Sequence, residues 1–385
     1  MKRTVTLIGS GVVVAGLAAA IGLTASAVHS PAKAATEAAT GKAKLVSAGA
    51  LAFGPAGILF VADSQGAAVA AIDTKDTKAP ASAVKINVEG LDTKIAALVG
   101  VTPDQIVIND MKVNPVSKNV YVSASRGRGP DAMPVIVRID GSDKISAVSL
   151  DNATIVSLVD APAAQPGQRN DPRMQTITDM AYVNGNLMVA GLSNEEWSSA
   201  LRSIPYPFKA AQQGATLQIW HSSHGRYETQ SPVRTFVPYT IGGQQYILAA
   251  YTCTPLVKIP VSQLTPGAQV KGVEIADLGA GNQPLDMIPY QKNGHNYILV
   301  ANSSFGVVKL KADNIETYPA IAEPQRTDVA GVPYDKITDI TNVLHMAQID
   351  GSSALMMIGK PGAGPAYAPG PAAGPISLKT IELPS

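Results

Sequence analysis

Apolar and polar positions alternate along this chain in short runs, and one such run occurs twice. Val237-Pro-Tyr-Thr-Ile-Gly-Gly-Gln-Gln-Tyr-Ile-Leu-Ala-Ala250 returns fifty-one residues later as Ile288-Pro-Tyr-Gln-Lys-Asn-Gly-His-Asn-Tyr-Ile-Leu-Val-Ala301. Each copy reads as an extended run, a Gly-containing turn and an apolar strand rich in β-branched and aromatic residues. A self-match near 50 residues with strands inside it predicts a repeat of four-stranded β units.

The same alternation divides the rest of the chain into such units, or blades. Blade one takes Leu51–Phe53, Ile58–Asp63 and Ala67–Asp73, with Ala83–Val88 as its fourth strand. Blade two runs through Asp110–Val113, Asn119–Ser123 and Pro134–Asp140 to an outer strand near Ile145–Leu158. Blade three has Asp179–Val183 and Asn186–Ala190, then an insertion, Ser193–Gly214, before Ala215–Trp220. The matched pair supplies blades four and five. Blade six has Asp339–Val343, Ala354–Ile358, a Gly/Pro/Ala stretch over Gly359–Pro375, and Ile376–Leu383. It lacks an outer strand, and Lys42–Ser47 is a spare strand whose pairing there would close the ring and remove an exposed edge. The fold class predicted is all-β, a six-bladed β-propeller, or seven-bladed if 141–177 hides a degenerate unit. Leu91, Ile95, Leu98 and Val99 keep helical spacing and predict one short helix, stopped by Gly100 and Pro103.

Composition agrees with many short strands: of 385 residues, 34 are Gly and 28 Pro, and only 15% are charged. The net charge of +1 leaves no electrostatic footprint for nucleic acid. Lys2-Arg3, an apolar run over Val12–Leu23 and Ala25-Ser26-Ala27 have the form of a Sec-type signal peptide over 1–27, with cleavage as late as 34 also open. The competing reading is an uncleaved anchor, since the run approaches the roughly 20 residues that span a bilayer. With cleavage, a disordered linker over 28–41 precedes a single domain over 42–385. The mature protein would be periplasmic or secreted, without a stable membrane span, and monomeric. Cys253 is the only cysteine, so no internal disulfide forms, and a buried small hydrophobe is its ordinary role.

The phrase Gly54-Pro-Ala-Gly-Ile-Leu-Phe-Val-Ala-Asp63 resembles the recurring unit of exported bacterial propellers with YVTN-, NHL- or lactonase-like repeats. The resemblance spans roughly 42–385 and concerns the fold, which hosts unrelated functions.

Four blades begin with Asp followed by Met or Ile, at Asp110, Asp179, Asp286 and Asp339, and the first strand of a blade lies nearest the ring axis. Two readings stand. Each Asp accepts backbone N–H groups at the entry to its blade, or several converge on a cation. Crowded carboxylates need a compensating positive charge, and oxygen ligands alone select a hard ion such as calcium. Thr235 and a position near Ala50 take the equivalent places in blades four and one. Arg126 and Arg128, between the second and third strands of blade two, are candidates for gripping a carboxylate or phosphate. Glu196 and Trp197 are the corresponding candidates in blade three, and His345 is a candidate for the channel wall. His221-Ser-Ser-His224 has no third metal ligand evident in sequence, and as a hairpin turn after a third strand it should lie at the end of the ring away from the Asp set.

No nucleophile elbow, phosphate-binding loop, zinc-protease motif or haem-attachment motif occurs, which argues against haem and nucleotide cofactors. Three functions remain: a module binding a small molecule or an envelope or secreted protein on its top face, a calcium-dependent lactonase- or esterase-type hydrolase, and a purely structural envelope component.

Overall fold

The computed structural model describes residues 38–168, 170–210, 213–325, 329–362 and 370–385. The segments expected as a signal peptide, with its alternative cleavage site, and as most of a linker lie outside them. The linker's last residues, Ala39–Gly41, form an edge strand paired with Ala153–Ile155.

The strands gather into antiparallel sheets, numbered here by the chain order of their inner strands. Sheet one stacks Leu51–Phe53, Ile58–Asp63, Ala68–Asp73 and Ala153–Ser157. Sheet two stacks Ile106–Val113, Val120–Arg126, Met133–Ile139 and Ile145–Ala147. Sheet three runs from Asp179–Val183 through Asn186–Leu192 and Ser199–Pro205 to Ala215–His221. Sheet four runs from Thr235–Ile241 through Gln244–Ala250 and Pro255–Pro260 to Gln269–Asp277. The outer strands of these two also pair in parallel, from Thr216 opposite Gln269 to Ile219 opposite Gly272. Sheet five holds Pro284–Lys292, His295–Asn302, Gly306–Lys311 and Tyr334–Ile337. Sheet six holds Val343–Gln348, Ser353–Gly362, Gly370–Glu382 and Asn87–Val88.

The repeat seen in sequence has one register in space. Tyr239 faces Tyr246 and Tyr290 faces Tyr297. The intervening turns are Gly242-Gly243 and Asn293-Gly294, all four residues at positive φ. Two-residue turns of that kind match the right-handed twist of the strands they join.

Apolar clusters between sheets fix the order around the ring. Leu51 and Leu59 of sheet one pack with Tyr121 and Ile136 of sheet two. Val122 and Val137 of sheet two pack with Leu355 and Leu378 of sheet six. Sheets six and five, five and four, and four and three share the next three clusters. Phe60 of sheet one then packs with Leu187 and Val189 of sheet three. The ring therefore reads one, two, six, five, four, three and back to one. Sheets one and two stand in reversed order relative to the other four.

That order explains the departures from the expected strand assignments. Sheet six neighbours sheet two, so its open edge is met by the chain on its way into sheet two. Leu378 pairs with Val88 and Lys379 with Asn87. The segment expected as blade one's outer strand thus closes sheet six, and Ala153–Ser157, expected at the edge of blade two, closes sheet one. Lys42–Ser47 forms no strand. The Asp63 carboxylate accepts the N–H groups of Val46 and Ser47 and ties that segment to sheet one. The expected insertion 193–214 contains the third strand of sheet three, and Ala215–His221 is the fourth.

The predicted helix spans Leu91–Val99 and buries Leu91, Ile95 and Ala96 between sheets two and six. It ends at Gly100, whose φ of 72° suits a residue without a Cβ. Leu98 is exposed instead of joining the buried face.

Candidate functional site at the mouth of the ring

Every inner strand carries an irregularity where it enters the ring. In sheets two, five and six the register shifts between Ile108 and Asp110, Pro284 and Asp286, and Val343 and His345. In sheet three the Thr178 N–H bonds to the Ala190 carbonyl while Asp179 also pairs with Ala190. Arg234 and Thr235 share Ala250 in the same manner, and Gly49 and Ala50 share Ala62. A bulge places two consecutive residues opposite one and re-aims their side chains. In every sheet but sheet one the first residue of the pair meets the mouth. Asn109, Thr178, Arg234, Leu285 and Leu344 all line one cavity of about 420 Å³, together with His345.

The second residues form a layer below, which reads around the ring Ala50, Asp110, His345, Asp286, Thr235, Asp179. Carboxylates hold alternate places and make the same two bonds. One oxygen accepts the N–H of the following residue, from Met111 at 2.7 Å, Met180 at 2.8 Å and Met287 at 2.8 Å. The other accepts an N–H from the neighbouring inner strand, from Leu51 at 2.7 Å, Phe236 at 2.9 Å and Met346 at 2.9 Å. All three reach round the ring in one rotational sense, so each joins a different pair of sheets. Bonds to a charged acceptor contribute about 1.5–3 kcal/mol each.

Lys112 follows Asp110 by two residues on the same strand and so faces the same way. Its Nζ lies 3.8 Å from Asp110 Oδ1 and 3.8 Å from Asp286 Oδ1. His345 Nδ1 lies 3.3 Å from Asp110 Oδ1 and 3.8 Å from Asp286 Oδ2. A second cavity of about 310 Å³, lined by Lys112, Asp179 and Asp286, opens beneath.

These charges set one another's protonation. Burial alone would lower the Lys112 pKa, but Asp110, Asp286 and Asp179 together carry it well above the usual lysine range. Burial opposes the charge on Asp110, yet Lys112 and His345 hold its carboxyl below the ordinary value. For Asp286 burial prevails over Lys112 and the pKa rises. Asp179 is pushed up to about 6, first by burial and then by repulsion from Asp286 and Asp110, against the pull of Lys112. A carboxyl whose pKa is raised on folding contributes stability below its unfolded pKa near 4 and loses it as pH climbs through about 6. At about 1.4 kcal/mol per unit, that loss is on the order of 3 kcal/mol. Wild type minus Asp179→Asn stability, from denaturant titrations at pH 4.5 and 7.5, should therefore fall as pH rises. A flat difference would show that Asp179 does not titrate in this window.

The other sequence candidates fall elsewhere. Asp339 is exposed in the connection before Val343, because the inner strand of sheet six starts later than the apolar pattern suggested, and His345 takes the place assigned to Asp339. Arg126 ends the second strand of sheet two, paired with Ile106 and Met133, and both it and Arg128 are exposed, with Arg128 Nε donating to the Asp104 carbonyl at 2.8 Å. Glu196 is exposed and Trp197 half-buried in the short turn before Ser199. None of these four lines the axial cavity, whereas Pro371 and Ala372 of the Gly/Pro/Ala stretch do. His221–His224 follows the fourth strand of sheet three rather than a third strand, so it lies at the outer rim.

Sequence reasoning missed Lys112 and Arg234. An Asp-x-Lys on an innermost strand was the available signal for the first. The second needed the bulge, which leaves no trace in composition.

No family model and no curated protein matches this chain. Among solved structures it is similar to the PQQ-bound aldose sugar dehydrogenase of Streptomyces coelicolor, at 11% identity over 90% of this chain and 99% of that one, with a TM-score of 0.29. It is also similar to a putative oxidoreductase (glucose dehydrogenase) of Thermus thermophilus, at 12% identity over 90% of this chain and 100% of that one, TM-score 0.32. A luciferin-regenerating enzyme matches at 8% identity over 89% of this chain and 95% of that one, TM-score 0.21. The chain resembles the broad β-propeller class, and its own sheet topology carries that assignment.

Proposed function

We propose that this chain is an exported six-bladed propeller that binds a small polar molecule bearing an anionic group in its axial mouth. The cavity above the charge layer carries the reading: Arg234, Asn109, Thr178 and His345 line a space of about 420 Å³, the size of a small-ligand site. A guanidinium beside the Asn109 amide and the Thr178 hydroxyl suits a carboxylate or phosphate. The test is a thermal-shift and calorimetric screen of small carboxylates and organic phosphates on the mature protein. A ligand of this site should raise the Tm of wild type and lose at least about tenfold in affinity with Arg234→Gln, the scale of one lost charged contact. Equal binding by that variant would remove the mouth from consideration and turn attention to a protein partner.

The reading contains no calcium. Crowded carboxylates need a compensating positive charge, and Lys112 supplies one between Asp110 and Asp286. Adding calcium to chelator-treated protein should accordingly leave its Tm unchanged, and a Tm that calcium raises would overturn this part of the proposal.

One observation favours hydrolysis as a second reading. His345 lines the cavity with Nδ1 3.3 Å from Asp110, so a carboxylate orients an imidazole that could act as a base on a bound ester or lactone. Turnover of such substrates that disappears in His345→Gln would support it.

A further inference from the structure

The outer hairpin of sheet three brings together a donor set that the sequence left incomplete. Ala215–His221 turns back into Arg226–Glu228, with His221 opposite Arg226 and Ile219 opposite Glu228. The turn carries His224 over the hairpin, and its ring centroid lies 3.8 Å from that of His221. Glu228 reaches both: Oε2 is 2.9 Å from His221 Nδ1 and Oε1 is 2.7 Å from His224 Nδ1. The two imidazole nitrogens and the carboxylate oxygen all lie within 4.8 Å of one another.

We propose that His221, His224 and Glu228 form a zinc site with one position left for water or an exogenous ligand. Two imidazoles and one carboxylate suit zinc and are poor partners for calcium, which takes oxygen. Zinc bonds of about 2.0–2.2 Å place tetrahedral ligand atoms roughly 3.3 Å apart. The two histidine–carboxylate separations are already near that value, so an entering ion needs only small side-chain shifts.

The surroundings support a site. His221 is fully buried, and its Nε2 has no hydrogen-bond partner among the described residues. With a metal on Nδ1, the ring proton must sit on Nε2. The neighbouring Ser222 is fixed by the buried Glu274 carboxylate, which accepts its N–H at 2.9 Å and its hydroxyl at 2.7 Å. Trp220 Nε1 and Ser223 Oγ are likewise buried without a partner among the described residues. Such a concentration of unsatisfied groups beside two histidines needs an explanation, and a bound ion with its waters supplies one. Arg226 Nε and Ser231 Oγ also contact Glu228, at 3.2 and 3.0 Å, and would keep its carboxylate oriented. His224 is the solvent side of the site, with 38% of its side chain exposed, and the ion enters there.

The experiment uses mature protein without a polyhistidine tag. Zinc is titrated calorimetrically, and cobalt is added in parallel for the visible bands of four-coordinate geometry. The expected result is one equivalent of zinc and a four-coordinate cobalt spectrum. Affinity should fall at least about tenfold in His224→Ala and in Glu228→Gln and stay unchanged in His295→Ala, a surface histidine paired with Asp313. His224 and Glu228 belong to an outer hairpin, and far-UV circular dichroism checks that both variants fold. No binding, or binding retained by both variants, or binding lost with His295→Ala, overturns the proposal.

Discussion

Replacing Lys112 with methionine should lower the free energy of unfolding by about 3–5 kcal/mol at pH 8, the usual cost of leaving a buried charge without its partner. The side chain retains 22% of its surface, while the Asp110 and Asp286 carboxylates beside it retain 8% and 5%. Methionine keeps most of the stem and removes only the charge. The variant's carboxyls then have folded pKa values above their unfolded ones, so the stability they supply is present below about pH 4 and lost as pH rises. The deficit should therefore be much smaller at pH 5 than at pH 8, measured by urea titration at both. An equal deficit at the two values would mean that the lysine stem, and not its charge, holds the layer.

A comparable loss of about 3–5 kcal/mol is expected for Arg202→Met, from the same cause at a different place. Arg202 is the largest fully buried side chain. Its Nε donates to Asp160 Oδ1 at 2.7 Å, and its terminal nitrogens donate to the carbonyls of Thr176 at 3.1 Å and Leu192 at 2.8 Å. Asp160 Oδ2 accepts the Gly214 N–H, where a Cβ would stand 2.7 Å from Arg202 Cγ. This ion pair thereby gathers the segment entering sheet three, its second strand and the approach to its fourth. The double variant Arg202→Met/Asp160→Leu should be no less stable than Arg202→Met alone, because it removes the stranded carboxylate. A double variant that loses the sum of two large single effects would show that the carbonyl contacts, and not the ion pair, carry the energy.

The parts of this fold that were legible in sequence are those in which local chemistry and position coincide. The Gly242-Gly243 and Asn293-Gly294 turns announce their hairpins, and the tyrosines that follow fix the register of both copies. Asp110, Asp179 and Asp286 stood out because Asp followed by Met recurs on three inner strands, and all three join the layer below the mouth. Asp339 misled for a related reason. Its Asp-Ile resembled the others, but the strand it was thought to open starts at Val343, and a bulge there brings in a histidine. The reversed places of sheets one and two were not legible. The strand Asn87–Val88 that closes sheet six is two residues long, and two residues cannot advertise a partner at the far end of the chain. Bulges were invisible because they lie near the starts of the inner strands, where too few residues precede the extra one to show that the alternation has slipped.

That distant pairing bears on when the molecule can fold. The Ile86 N–H bonds to the Thr380 hydroxyl across a separation of 294 residues, next to the pairing of Asn87 and Val88 with the last strand. Contacts so far apart in sequence pay their loop-closure entropy late and slow the search. During synthesis the helix and its flanking strand emerge well before their partner, which lies 294 residues further along the chain. A chain cut short before residue 378 would keep its first five sheets within reach and still leave the apolar face of Leu91 and Ile95 open to water. Truncation there would thus leave apolar surface of the kind that marks a fragment for proteolysis.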